Sequence, residues 1–294
     1  MKPDVDLVSV FTFEGRGGNP CPIVVDGKGL APADMQAIAR QHGHESGFVL
    51  PPASQDYDLS LRFWVPNHEM EMCGHATIGA LWLLASKGSL PGDTVRIETR
   101  SGPVTGFVKY ADHDRPSVEI TQPAGKVTGL STSQSQDVLA VMGLDRDDLQ
   151  DLPIQNAVTS RVKTLVPIKD VDRLNSLQSD MSAVEALCNR IGSTGLYPYA
   201  VQDRQARVFE ARQFPRSSGY PEDAATGIAG AALAFGLLAN GLVAADDRPI
   251  RIFQGRAMGA LSEIGVRLGF ADGRAIGCLL GGAVGRLALP SSHS

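Results

Sequence analysis

Two apolar stretches lying 153 residues apart begin and end on glycine at matching places. The first is Cys73-Gly74-His75-Ala76-Thr77-Ile78-Gly79-Ala80-Leu81-Trp82-Leu83-Leu84. The second starts Thr226-Gly227-Ile228-Ala229-Gly230-Ala231-Ala232-Leu233 and stops near Asn240-Gly241. With Cys73 set on Thr226, Gly74 meets Gly227, Ala76 meets Ala229, Leu84 meets Leu237 and Gly88 meets Gly241. A helix that is apolar nearly all round has no solvent face and must be buried. Two such copies predict two related halves, each a curved sheet wrapped round one central helix. That is an α+β layout, not a doubly wound one. The two helix starts are expected to face a shared cleft.

Strand patterns fill the remainder. Val5–Phe13 and Leu59–Val65 alternate with period two. Further strands are expected at Thr94–Glu98, Val104–Tyr110, Ser117–Thr121, Leu196–Val201, Ala206–Phe214 and, to close the chain, Pro249–Gln254, Leu261–Leu268 and Ala275–Leu287. Pro32 opens a helix that Gly43 ends. The polar passage Gly125–Ser133 is the candidate linker. The expected halves are 1–125, joined by a C-terminal strand at about 280–290, and 126–280.

The chain is 294 residues long and 43% hydrophobic, so each half is able to bury a core. A net charge of −5 and no Lys/Arg run argue against nucleic acid or an anionic membrane as partner. Acidic residues stand at the N-terminus where a signal peptide needs basic ones. No apolar run reaches the ~20 residues of a membrane span. Cys21, Cys73, Cys188 and Cys278 form no CxxC, which suggests reduced thiols in a cytoplasmic protein.

The chemistry should sit at the helix starts. Gly74-His75-Ala76 and Gly227-Ile228-Ala229 present free backbone N–H groups and the positive end of the dipole, which suits a small-molecule substrate with a carboxylate. Several side chains each have two readings. Glu45, beside Ser46, is either a solvated loop glutamate or a general acid/base whose burial raises its pKa. Asp223 either complements the dipole or holds a substrate amine or hydroxyl. His75 is either a packed cap residue or a hydrogen-bond donor to substrate. Cys73, at a helix N-terminus, is either a small buried residue or a thiol of lowered pKa. Its counterpart Thr226 is no base at neutral pH, so a symmetric two-thiol mechanism is excluded unless Cys188 or Cys278 lies close. His42-Gly43-His44, with His68 and His75, has no acidic cluster to complete a metal site, so no metal is expected. No phosphate loop or dinucleotide fingerprint is present.

Five ordered motifs resemble the phenazine-biosynthesis isomerase-like (PhzF-like) family. They are Gly18-Asn19-Pro20, His44-Glu45-Ser46-Gly47-Phe48-Val49, Cys73-Gly74-His75-Ala76-Thr77, Glu222-Asp223-Ala224-Ala225-Thr226-Gly227 and Gln254-Gly255-Arg256-Ala257-Met258-Gly259. The resemblance implies the diaminopimelate-epimerase-like fold, with two pseudo-symmetric halves that are antiparallel sheets rolled around central helices. It also implies a cofactor-free isomerase that forms a homodimer. In the family's characterised member a glutamate moves a proton between ring carbons of a dihydro-hydroxyanthranilate. Carried over, Glu45 becomes the acid/base, and His75 and Asp223 hold the substrate's polar groups. Asn19, Ser46, Cys73, Gly74, Ala76, Thr226, Gly227 and Ile228 line the substrate site. His44 and Ile228 stand where the family usually has Ser, and Cys21 where it usually has Leu. Met72-Cys73-Gly74-His75 also resembles proline racemases and hydroxyproline dehydratases, the latter in setting one thiol opposite a threonine. The expected function is therefore a cofactor-independent isomerase acting on a small carboxylate or amino-acid-like substrate. The alternatives are a single-thiol epimerase or dehydratase using Cys73, and a non-catalytic binder.

Overall fold

The computed structural model of the chain describes residues 3–111 and 115–287. It forms two compact units. One holds the described residues up to Thr121 and those from Gly281 onward, and the other is Gln122–Leu280.

The first unit contains β1 (Asp6–Thr12), β2 (Asn19–Val24), α1 (Pro32–His42), β3 (Ser46–Leu50), β4 (Leu59–Trp64), β5 (Glu69–Met70), α2 (Gly74–Ser86), β6 (Thr94–Thr99), β7 (Gly102–Ala111) and β8 (Arg115–Pro123). The last described strand, Ala283–Arg286, returns to pair antiparallel with β1, Val8 facing Arg286 and Val10 facing Val284. Two neighbours in this sheet run parallel, β2 with β3 and β4 with β6. Parallel neighbours need a crossover, and a helix supplies each one. The connection from β2 to β3 carries α1, and that from β4 to β6 carries α2. Period-two alternation marks strands but not their direction, so these pairings add a detail that the sequence pattern does not carry.

The second unit repeats the scheme. It contains β9 (Lys126–Gly129), α3 (Thr132–Met142), β10 (Gln155–Val158), β11 (Val162–Pro167), α4 (Val171–Ser176), α5 (Met181–Ile191), β12 (Gly195–Asp203), β13 (Val208–Ala211), β14 (Phe214–Pro215), α6 (Gly227–Ala239), β15 (Ile250–Gln254), β16 (Ser262–Ala271) and β17 (Arg274–Gly281). Here β11 runs parallel to β12 and β13 to β15. The crossovers carry α4 with α5, and α6. The passage Gly125–Ser133 is not the open linker expected. Lys126–Gly129 pairs antiparallel with β10, and α3 begins at Thr132 on the Ser131 cap.

The two central helices match residue for residue at the 153-residue spacing, α2 on α6, with N-caps Cys73 and Thr226. Each stops before a left-handed glycine, Gly88 (φ 62°) and Gly241 (φ 67°). Only Trp82 and Ser86 of α2, and Leu238 and Ala239 of α6, reach toward solvent. Small residues let the sheets come close. A Cβ on Gly79 would lie 3.0 Å from a methyl of Val8 and 3.2 Å from one of Val10. One on Gly230 would lie 3.0 Å from a methyl of Ile264. Each unit therefore seats its helix against its own strands at a glycine, with the helix start held at a fixed point of the sheet.

Candidate active site

Glu45 follows the end of α1, where Gly43 takes a left-handed turn (φ 69°), and precedes buried Ser46 at the start of β3. This places its side chain against the start of α2. Cys73 Sγ lies 3.3 Å from Glu45 Oε2 and 3.4 Å from His75 Nδ1, and that ring nitrogen is 3.6 Å from the same carboxylate oxygen. The Cys73 and His75 side chains are buried, whereas that of Glu45 keeps 24% of its surface exposed. A second thiol, Cys21 of β2, points at the Glu45 carbonyl oxygen at 3.1 Å.

Burial, and the Glu45 carboxylate after it, push the Cys73 thiol well above its usual range; the Ala76 amide pulls the other way but loses. The lowered pKa expected from the helix start is therefore corrected, because desolvation and a neighbouring carboxylate outweigh the dipole. Burial and Glu45 raise Cys21 in the same way. The sulfur of Cys73 is thus a protonated donor toward Glu45.

The other expected residues of this unit sit nearby in the chain. Asn19 opens β2 opposite Val10. Ser46 turns its hydroxyl back to the His44 carbonyl at 3.1 Å. Gly74, His75 and Ala76 are the first three residues of α2, and all are buried.

At the start of α6 the Thr226 hydroxyl donates to Asp223 Oδ2. Gln254, the last residue of β15, ties this loop together. Its Nε2 donates to the Asp223 carbonyl at 2.6 Å, and its Oε1 accepts from the Thr226 amide at 3.3 Å and the Tyr197 hydroxyl at 3.0 Å. Tyr197 is fully buried, and desolvation first, then the Asp223 charge, raises its pKa far above the usual range. It is a neutral donor that orients the Gln254 amide. Gly227 and Ile228 are the first two residues of α6, both buried. Gln254 stands in the late motif and so had a sequence signal; Tyr197 had none.

A further device occurs in both units. Glu69 and Glu222 each stand four residues before the N-cap of their central helix. Arg62 grips Glu69 through Nε at 2.5 Å and Nη2 at 2.7 Å. Arg212 grips Glu222 in the same manner at 2.8 and 2.7 Å. Both guanidinium groups lie over an aromatic ring two residues on, Trp64 and Phe214. Arg212 Nη1 also donates to the carbonyls of Leu174 and Leu177, at 3.1 and 2.8 Å. Bidentate pairs of this kind fix geometry as well as charge. The loops entering both helices are therefore clamped by the same chemistry. Arg256 of the late motif is likewise engaged, on buried Glu210 at 2.8 Å.

Duplicated sheets, each closed on one buried helix whose start carries the polar cluster, define a protein of the diaminopimelate-epimerase-like fold. The chain belongs to the phenazine biosynthesis-like (PhzC-PhzF) family, whose model matches residues 8–282. Isomerase YddE of Escherichia coli K12, itself uncharacterised, is 31% identical over 277 residues, which is 92% of each chain. A phenazine biosynthesis protein of the PhzF family from Bacillus anthracis has a TM-score of 0.85 at 24% identity, over 97% of this chain and 96% of that one. A protein of Pseudomonas aeruginosa described as a predicted epimerase has a TM-score of 0.81 at 25% identity over the same shares. With this membership and relatives named as isomerases, the chain is an isomerase. Among the described residues no helix is long and apolar enough to cross a membrane.

Proposed function

We propose that this isomerase moves a proton on carbon next to the carboxylate of a small cyclic or amino-acid-like acid, without a cofactor, with Glu45 as the acid/base. The observation that carries the reading is the contrast in access at the start of α2. Cys73 and His75 are buried, while the carboxylate of Glu45 is the member that solvent reaches. A group that takes a proton from carbon and returns it must touch the substrate. In the first step the Glu45 carboxylate accepts the C–H proton and the electron pair delocalises into the substrate's π-system. In the second the new carboxylic acid gives that proton to the other carbon. The Cys73 thiol, held protonated, donates to Glu45 and orients it. His75 and the amides of Gly74 and Ala76 serve the substrate carboxylate, whose negative charge grows as the proton leaves. Asp223 and Thr226 serve a substrate amine or hydroxyl. Asn19, Ser46, Gly227 and Ile228 are further substrate-binding residues, and the working form is a cytoplasmic homodimer.

Proton exchange in D2O, followed by NMR over a panel of dihydro-hydroxyanthranilate, proline, hydroxyproline, diaminopimelate and related acids, tests the reading. Wild type should wash out one carbon-bound proton of a panel member, and Glu45→Gln should lose about 10²–10⁴-fold in that rate, the usual share of a general acid/base. Equal exchange by both proteins overturns it. A second reading rests on the 3.4 Å approach of Cys73 to His75, which makes the thiol the single base of an epimerase or dehydratase. Unchanged exchange in Cys73→Ser would remove that reading.

A further inference from the structure

The cluster at the start of α2 has a geometry that hydrogen bonding alone does not require. Glu45 Oε2, Cys73 Sγ and His75 Nδ1 form a closed triangle with sides of 3.3 Å (S to O), 3.4 Å (S to N) and 3.6 Å (N to O). A tetrahedral zinc ion holds sulfur at about 2.3 Å, nitrogen at about 2.0–2.1 Å and oxygen at about 2.0–2.2 Å. Tetrahedral angles then put the ligand edges at about 3.6 Å for S to O, 3.5 Å for S to N and 3.4 Å for N to O. Each observed side lies within about 0.3 Å of the edge it would become. A thiolate, an imidazole and a carboxylate are each donors that zinc accepts, and here one of each lies at these spacings.

The surroundings suit an ion as well. Cys73 and His75 belong to one rigid helix start. Its first turn is pinned by the Thr77 amide and hydroxyl, both donating to the Cys73 carbonyl at 3.1 and 2.8 Å. Two of the three ligands are buried, and the part-exposed Glu45 gives a way in. Three protein ligands leave the fourth position open, as in zinc sites that admit water or a small anion. The set differs from the HxH group weighed in the sequence. Only His75 is common to both, and the carboxylate comes from a loop 30 residues upstream of it.

We propose that Glu45, Cys73 and His75 form a zinc-binding site, at which the ion occupies the carboxylate oxygen that a proton would otherwise use and so switches the centre off. On binding, the S–H bond of Cys73 breaks, a Zn–S bond forms, and the proton leaves to the buffer. No electron changes hands. The ion site stands apart from the proton-transfer reading, because its test measures binding; only the switching-off rests on that reading.

The experiment titrates Co2+ into the chelator-treated full chain and follows absorbance, then displaces it with Zn2+. One equivalent should raise a thiolate-to-cobalt charge-transfer band together with the intense ligand-field bands of a four-coordinate ion, and Zn2+ should abolish both. Cys73→Ser should lose the charge-transfer band. Glu45→Gln, a conservative change at a part-exposed side chain, should keep the band and weaken affinity by roughly tenfold or more. The double variant Cys188→Ala/Cys278→Ala should titrate like wild type, and Mg2+ should not compete. Absence of the band in wild type, its survival in Cys73→Ser, or equal affinity in Glu45→Gln overturns the proposal. A folded Glu45→Gln that loses proton exchange while wild type takes up no cobalt would sink the zinc site and leave the isomerase reading intact.

Discussion

Arg212→Met isolates the clamp on the loop that enters α6. In the native chain the Arg212 and Glu222 side chains are only 7% and 10% exposed. The substitution leaves the Glu222 carboxylate buried without its two N–H donors at 2.8 and 2.7 Å. Deleting one partner of a buried pair costs about 3–5 kcal/mol. The carbonyls of Leu174 and Leu177 also lose a donor, at about 1 kcal/mol each before water makes some of it good. The methionine stem keeps most of the packing on Phe214. The expected loss is about 4–6 kcal/mol, a large part of the ~5–15 kcal/mol that holds a domain folded. Arg62→Met is the internal control. Arg62 is 27% exposed, and Glu69 keeps Arg100 at 2.5 Å, so the loss should be about 1–2 kcal/mol. Urea unfolding at 25 °C measures both. A third variant, Arg212→Met/Glu222→Gln, should recover part of the stability because the uncompensated charge is gone. If Arg62→Met costs as much as Arg212→Met, or the double variant is no better than the single, the clamp does not work as argued.

Three other predictions follow from separate observations. Thr226→Val removes the hydroxyl that donates to Asp223 but no cap bond, since the Thr226 side chain caps nothing; it should cost about 1 kcal/mol of stability and a much larger share of proton exchange, read by melting and by the D2O assay. Gly255→Ala forces a left-handed residue (φ 86°) to carry a Cβ 2.8 Å from the Ala224 carbonyl oxygen; it should destabilise by about 1–3 kcal/mol or more and displace Gln254, seen as a fall in melting temperature together with weakened substrate binding. Burial raises the thiols of Cys188 and Cys278 to about 11 and about 12, and because each folded value lies above the unfolded one, their contribution is complete below about pH 8.5 and drains as pH rises through the folded values. Each thiol should remove up to about 1.4 kcal/mol per pH unit in that window, so Cys188→Ala/Cys278→Ala should flatten the alkaline fall in stability, and an unchanged slope would refute it.

Some of this was legible in the sequence, for physical reasons that differ by residue. The central helices announce themselves because a helix without a polar face has one solution, and the two copies fix each other's ends at Gly88 and Gly241. Glu45 does not. A single glutamate in a loop carries no periodicity, and only the family motif marked it out. Cys73 was legible as a helix start but not in its charge state, which depends first on burial and then on a carboxylate 28 residues upstream that no local rule brings near. The clamps were missed for a similar reason. Glu69 and Glu222 were visible before both helices, but their arginines lie at different distances along the chain, seven residues in one unit and ten in the other. Tyr197 read simply as one more apolar residue of a strand.

The pairing of Ala283–Arg286 with β1 also sets an order of events during synthesis. Ala283–Arg286 leaves the ribosome some 270 residues after β1. At about 5–20 residues per second that is a wait of roughly 15–55 s. During it Val8 and Val10 lack the partners Arg286 and Val284. The sheet of the half that holds Glu45 is thus completed only once Ala283–Arg286 has been made.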